Sequence, residues 1–150
     1  MLTDQTDNLY RIEQVPIEYL PLVDKFFSAN KYKVRMGKLD WVYWVREKNE
    51  IVAAVRLIHQ ANKSLLMRNL FVTPGHRGRG IARQLVNRIS ELIQPNDCYC
   101  YALPHLQDFY SSCSYSHFAP EQVPSDIRDL YLRYKSRNRD WVLMGYINCS

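Results

Sequence analysis

Residues 72–82, VTPGHRGRGIA, carry the strongest chemical signal in this sequence. They fall where a β-branched apolar run ends and a helical period begins, a place where unpaired backbone N–H groups and the helix dipole together favour an anion. Gly78 and Gly80 leave the backbone open to phosphate oxygens with no Cβ in the way. Two phosphate loops are tested by spacing. The dinucleotide fingerprint G-x-G-x-x-G fails because Arg83 holds the third glycine position, and the P-loop fails because Ile81-Ala82 follow Gly80 where Lys and Ser or Thr are required. Neither a nicotinamide nor a nucleoside triphosphate is indicated. An anion site and a plain basic strand-to-helix turn both stay open.

Charge supports the anion reading locally. The chain carries 20 Lys and Arg against 15 Asp and Glu, a formal net charge of +5, which alone is compatible with nucleic acid, an anionic small molecule or mere solubility. From residue 75 to 90 there are four arginines, Arg77, Arg79, Arg83 and Arg88, with His76 and no acid. A second basic cluster, Arg133, Lys135, Arg137 and Arg139, reads as a solvated face.

The elements that must hold this loop follow from periodicity. Residues 10–15 read as a strand, and Ile17, Leu20, Val23, Phe26 and Phe27 recur at helical spacing over 17–29. Runs at 40–47 and 51–59 make a hairpin, and 65–72 follows as a third meander strand ended by Pro74. Ile81, Leu85, Val86, Ile89, Leu92 and Ile93 then form one face of a helix closed by Pro95, and 97–103 returns to strand. That strand, helix and strand make a βαβ unit with parallel strands. A short helix at 104–113, a brief strand at 115–118, a helix at 124–136 and a strand at 140–148 complete an α/β chain with a mixed, mostly antiparallel sheet.

The 150 residues, 47% hydrophobic, suffice for one domain that buries roughly 68–70% of its unfolded surface without metals or disulfides. No apolar run approaches the ~20 residues of a membrane span, and residues 1–10 lack the basic start and apolar stretch of a secretion signal. The expectation is a cytoplasmic protein. Cys98, Cys100, Cys113 and Cys149 then read as reduced thiols.

Arg77-Gly78-Arg79-Gly80-Ile81-Ala82, preceded by the strand and proline turn of residues 70–74, resembles the R/Q-x-x-G-x-G/A signature of the GNAT N-acetyltransferase superfamily. Phe109-Tyr110-Ser-Ser-Cys-Ser-Tyr115 is similar to the F-Y-x-x-x-G-F segment of the same family. The order of elements extends the resemblance over nearly the whole chain. It implies a sheet of about seven strands flanked by helices, with acetyl-CoA as cosubstrate and no metal. It also implies that the amides of Arg77, Gly78, Arg79, Gly80, Ile81 and Ala82 hold the pyrophosphate, and that Leu70, Phe71 and Val72 pair with the pantetheine arm. Tyr110 would stand beside the thioester sulfur.

This sequence departs from the family pattern at three places. Ser114-Tyr115 replaces a Gly-Phe turn, Pro104-His105 stands where an asparagine commonly follows the fifth strand, and residues 65–72 lack the carboxylate that many members use as base. Acyl transfer to an amine needs a neutral nitrogen, an oxyanion donor and a proton for the departing thiolate. Tyr110 is the candidate proton donor, and the oxyanion donor would be a backbone N–H near Phe71 or Val72. The base stays open among His105, His59, Glu47 and water, while His76 and His117 read as surface residues.

Tyr32, Trp41, Tyr43, Trp44, Tyr131, Tyr134 and Trp141 either line an acceptor cleft able to stack a ring or hold a cation, or fill the core. Glu121, Asp126 and Asp129 either receive a cationic amine or cap and solvate a helix. The leading expectation is an N-acetyltransferase for a small amine or peptide amine. A non-catalytic acyl-CoA sensor is the alternative, and nucleic-acid binding, which requires a steep salt dependence, comes last. A homodimer could form through residues 141–147 if they make an edge strand.

Overall fold

Alternating apolar residues become strands here because both faces of one sheet are covered by helices. The computed structural model describes residues 10–34 and 36–148, so Cys149 and residues 1–9 lie outside the described residues. β1 (Tyr10–Gln14) leads into a 3-10 turn at Ile17–Tyr19 and α1 (Leu20–Ala29). β2 (Trp41–Glu47), β3 (Glu50–His59) and β4 (Ser64–Val72) form the meander, and α2 (Ile81–Leu92) crosses to β5 (Asp97–Ala102). α3 (Gln107–Ser112), β6 (Ser116–His117), α4 (Ser125–Ser136) and β7 (Val142–Tyr146) follow. The described strands make one sheet in the order β1-β2-β3-β4-β5-β7-β6, antiparallel throughout apart from the β4–β5 pair.

One face packs on α2 and α3: Val45, Val55, Leu57, Leu65, Cys98 and Cys100 meet Ile81, Leu85, Ile89 and Tyr110. The opposite face meets α1 through Val42, Trp44 and Ala54, and α4 through Leu66, Tyr99 and Leu143. The parity of each strand, odd residues to one side and even to the other, produces these two layers. Gly145 in β7 is bare because the Tyr99 ring lies against it, and an added Cβ would sit 2.6 Å from that ring.

Several sequence expectations are corrected. Ile17 is 76% exposed, since the chain there makes a 3-10 turn whose threefold period rotates it off the α1 face. Leu92 is also exposed, and Ile93 takes the buried position at the end of α2. The last two strands are shorter than 115–118 and 140–148. Residues 141–147 form no edge, because β7 is held between β5 and β6. The edges are β1 and the two-residue β6.

An irregularity in β4 decides where the sheet opens. Ala54 pairs with Phe71 and Arg56 with Arg68, so β4 carries one more residue than β3 over this stretch, a β-bulge. Asn69 sits in it at φ +63°. Arg56 Nε donates to Asn69 Oδ1 at 3.0 Å and Nη1 to Asp40 Oδ2 at 3.1 Å, with both charged side chains largely buried. The parallel pairing of β4 with β5 ends at Leu66 and Tyr99. Beyond it β5 stays with β7 while β4 bends away. Asn69→Val forces a β-branched residue into the left-handed region and should lower stability by about 1–3 kcal/mol. Asn69→Gly accepts that backbone and loses only the Arg56 bond, so urea unfolding should rank it between wild type and Asn69→Val. An unchanged midpoint for the valine variant would show that the bulge is not held in this conformation.

Candidate functional site

The gap between the splayed strands is a cleft of about 210 Å³ lined by Met67, Leu70, Cys100, Leu103 and Tyr110, with Tyr32, Arg68, Tyr101 and Trp141 around it. β4 stays paired with β3 on one side as far as Val72, whereas its pairing with β5 ends at Leu66, so beyond Leu66 the cleft side of β4 carries backbone N–H and C=O groups that no described strand pairs. An extended polar ligand could pair there as an added strand.

β4 then runs through Val72 into a 3-10 turn at Pro74–His76 and the glycine loop. Gly78 and Gly80 have φ of +80° and +77°, and an added Cβ at either would meet nothing within 4 Å. Their backbone conformation is what calls for glycine, and the space above them is open. Gly80 caps α2 without a side-chain hydrogen bond, and the first helical bond runs from Gln84 N to Gly80 O. The N–H groups of Ile81, Ala82 and Arg83 are therefore free of intrahelical acceptors and point out of the helix start. A cavity of about 430 Å³ lies here against Val72, Arg77, Gly78, Ile81 and Phe109. The Phe109 ring, which lines this cavity, packs edge-on at 5.0 Å against Tyr110, which lines the cleft.

The loop is tied down by its neighbours. Arg77 Nε donates to Val72 O at 2.9 Å, and its guanidinium lies 5.2 Å from the Phe71 ring. Arg79 reaches the Tyr10 hydroxyl at 3.2 Å. His76, expected as a plain surface residue, instead bridges Thr73 Oγ1 at 2.8 Å and Glu47 Oε1 at 3.0 Å. Glu47 is thereby engaged in holding the loop entrance. Spacing alone gave no signal for this contact, since 29 residues separate the pair.

Tyr110 is 7% exposed, and among the described residues its hydroxyl has no hydrogen-bond partner while its ring lines the cleft. Burial, with the Cys100, Cys98 and Cys113 thiols beside it, holds its phenol well above the ordinary range. It is therefore a neutral O–H donor. Burial also pushes the Cys98 thiol up to about 12. Cys98, Cys100 and Cys113 are free and buried. Ser114, in the position of the glycine turn, keeps the turn by adopting φ +69°.

The remaining expected residues scatter. His59 packs edge-on against Trp41 at 4.4 Å and lines a different cavity with Gln14 and Leu39. His105 and His117 are exposed. Tyr43, Trp44 and Tyr131 are core residues. Asp126 Oδ2 accepts from Ala61 N at 2.8 Å, and Asp129 lies 3.4 Å from Arg128. Neither these nor Glu121 line the cleft. Two residues the sequence reading passed over, Arg68 and Asn69, do line it. Their signal was present as a polar pair interrupting an apolar strand. Among the described residues no cluster of three or more His, Cys, Asp or Glu could hold a metal ion, and no helix is long and apolar enough to cross a membrane.

Residues 40–117 match the family model for the acetyltransferase (GNAT) domain. No curated protein matches the chain. Among solved structures, an N-acetylglutamate synthase from Neisseria gonorrhoeae complexed with coenzyme A and N-acetyl-glutamate superposes with a TM-score of 0.69 at 11% identity, over 94% of this chain and 35% of that one. This chain thus spans about a third of that synthase. A dodecameric spermidine N-acetyltransferase from Vibrio cholerae gives 0.60 at 14% identity, over 75% and 82% of the two chains. A GNAT-family acetyltransferase from Staphylococcus aureus gives 0.56 at 15%, over 77% and 90%. At these identities the likeness is one of fold.

Proposed function

The chain belongs to the GNAT acetyltransferase family, and from that premise we propose that it moves an acetyl group directly from acetyl-CoA to a primary amine. The observation that carries this reading is the continuity of one strand. β4 offers a free backbone row in the cleft and then delivers the chain to a glycine loop with unpaired N–H groups. An acyl-thioester carried on a phosphorylated arm needs both in that order.

In this reading the N–H groups of residues 77–82 (Arg77, Gly78, Arg79, Gly80, Ile81 and Ala82) hold the pyrophosphate, with the α2 dipole behind them. Along residues 70–72 it is Leu70 and Val72 that face the amides of the arm, with Phe71 between them bonded to β3. The thioester carbonyl carbon then lies in the cleft near the bulge. A neutral amine attacks that carbon, and the negative charge moving onto oxygen is met by the β4 backbone N–H at Val72, since Thr73 N bonds Val52 O and the alternation of the ladder turns the Phe71 N–H to β3. As the C–S bond breaks, Tyr110 gives its phenolic proton to sulfur and recovers one from the nitrogen through water. Burial keeps that phenol protonated until the thiolate forms. Among the described residues the cleft lining has no carboxylate or histidine, so the amine loses its proton to water.

That same lack favours one other reading, acyl-CoA binding without turnover. Release of free thiol in the presence of amines separates the two.

Acetyl-CoA at a hundredfold over its dissociation constant should add about 2.7 kcal/mol to stability, read as a rise in melting temperature. Gly80→Asp places a negative side chain in the open space over the loop and should abolish that rise. Its own effect on stability should be about 1–2 kcal/mol, the cost of a left-handed non-glycine residue. A melting point insensitive to millimolar acetyl-CoA contradicts the proposal.

Tyr110→Phe keeps the ring contacts with Phe109 and Tyr115 and should leave acetyl-CoA affinity nearly unchanged. Its kcat should fall roughly 10²–10⁴-fold, the range of a positioned acid. An unchanged kcat removes Tyr110 from the proton path.

A further inference from the structure

The cleft has two sides of different character. Met67, Cys100 and Tyr110 belong to the face covered by α2 and α3, where the glycine loop also lies. Arg68, one residue on from Met67, belongs by strand parity to the opposite face, over α4. There its guanidinium lies 5.3 Å from the centre of the Tyr134 ring, and Tyr134 packs on Trp141 at 4.6 Å. The aromatic group read from the sequence as able to hold a cation does hold one, and the cation is the protein's own.

Arg68 is half-buried, and among the described residues no carboxylate pairs with it. Asp40 pairs with Arg56, and Asp126 takes the Ala61 N–H on Oδ2 while its Oδ1 is buried with no hydrogen-bond partner among the described residues. Arg56 and Arg68 stand directly opposite each other on β3 and β4. Like charges in that relation are destabilising, and one buried aspartate serves only Arg56. A positive charge is left over at the edge of a cleft whose lining has no acid of its own. The same charge acts on Tyr101, whose phenol burial raises while Arg68 pulls it down.

Taking acetyl transfer as the activity, we infer that Arg68 reads an anionic group on the acceptor, so that the acceptor is an amine that also bears a carboxylate. A guanidinium fixed on a ring presents its remaining N–H edge as a fork matched to two carboxylate oxygens. Lying across the sheet from the glycine loop, it meets the acceptor from the side opposite the phosphates. A polyamine, cationic at both ends, would be repelled by the same group.

The test uses the full chain with acetyl-CoA and pairs of acceptors differing in one group: amino acids of small, acidic and aromatic type against their primary carboxamides, with putrescine and spermidine as cationic controls. Thiol release should favour the best carboxylate over its carboxamide by about 10–100-fold in kcat/KM, the effect of a hydrogen-bonded charge. Arg68→Gln should bring that ratio to within threefold through the KM of the carboxylate, and Arg68→Lys should restore part of it. A purely structural stacking role would leave the ratio unmoved. Binding of N-acetyl amino acids and their amides to the CoA-loaded protein reads the same preference without turnover. Equal handling of acid and amide, no binding of any N-acetyl amino acid, a preference for the diamines, or a ratio that survives Arg68→Gln would each overturn the inference. If acetyl-CoA itself leaves the melting point unmoved, the acetyl-transfer reading fails instead.

Discussion

The extra residue in β4, held by Arg56 between Asn69 and Asp40, is the constraint on which the site depends. Two parallel strands with continuous pairing leave no room for a ligand between them. Here the pairing of β4 with β5 is complete for only three residues, from Ser64 to Leu66. The bulge then turns β4 outward while β7 keeps β5 in place. What opens is a gap with hydrogen-bonding backbone on its β4 side and apolar side chains on its floor. The arrangement has its own energetic cost, since Asn69 adopts a left-handed conformation and Arg56 and Asp40 are buried as ions. Bonds from one guanidinium to both the bulge and the chain before β2 offset that cost.

The charges follow the same geometry. The α2 N-terminus and Arg83 lie on one face of the sheet, whereas Arg77, against the Phe71 ring, and Arg68, against Tyr134, turn toward the other. Between them the cleft is lined by Tyr110, a neutral donor at physiological pH because burial suppresses its ionisation. Positive potential thus approaches the cleft from both sides while its interior stays uncharged. Such a site suits a reaction between an anionic carrier and an acceptor that must lose a proton to become nucleophilic.

Much of this was legible in the residues. Alternation in 41–47, 51–59 and 65–72 reports strands because each side chain is committed to one of two covered faces, and α2 shows its period for the same reason. The glycine loop is legible because positive φ restricts residue type, as Gly78 and Gly80 illustrate. Ser114 shows the converse: a left-handed turn survives without glycine, and residue type alone hides it. The bulge was not legible, because register depends on pairing between Arg56 and Arg68, a relation between strands that no single-strand pattern carries. The contact of His76 with Glu47 escaped for the same reason, and so did the interior place of β7. Aromatic residues were the most ambiguous. Tyr43, Trp44 and Tyr131 fill the core whereas Tyr32, Tyr101 and Trp141 border the cleft, and both roles select the same side chains.

Where coenzyme A sits on the backbone tests the account most directly. Amide chemical shifts of the labelled protein, recorded during titration with coenzyme A, report the location of binding residue by residue. The largest changes should fall on Leu70 to Val72, on the amides of Arg77 to Ala82, and on Cys100 to Leu103 across the gap. Changes centred instead on the cavity beside Leu39, Trp41 and His59, with the glycine loop unmoved, would contradict the assignment of the splayed strands as the site.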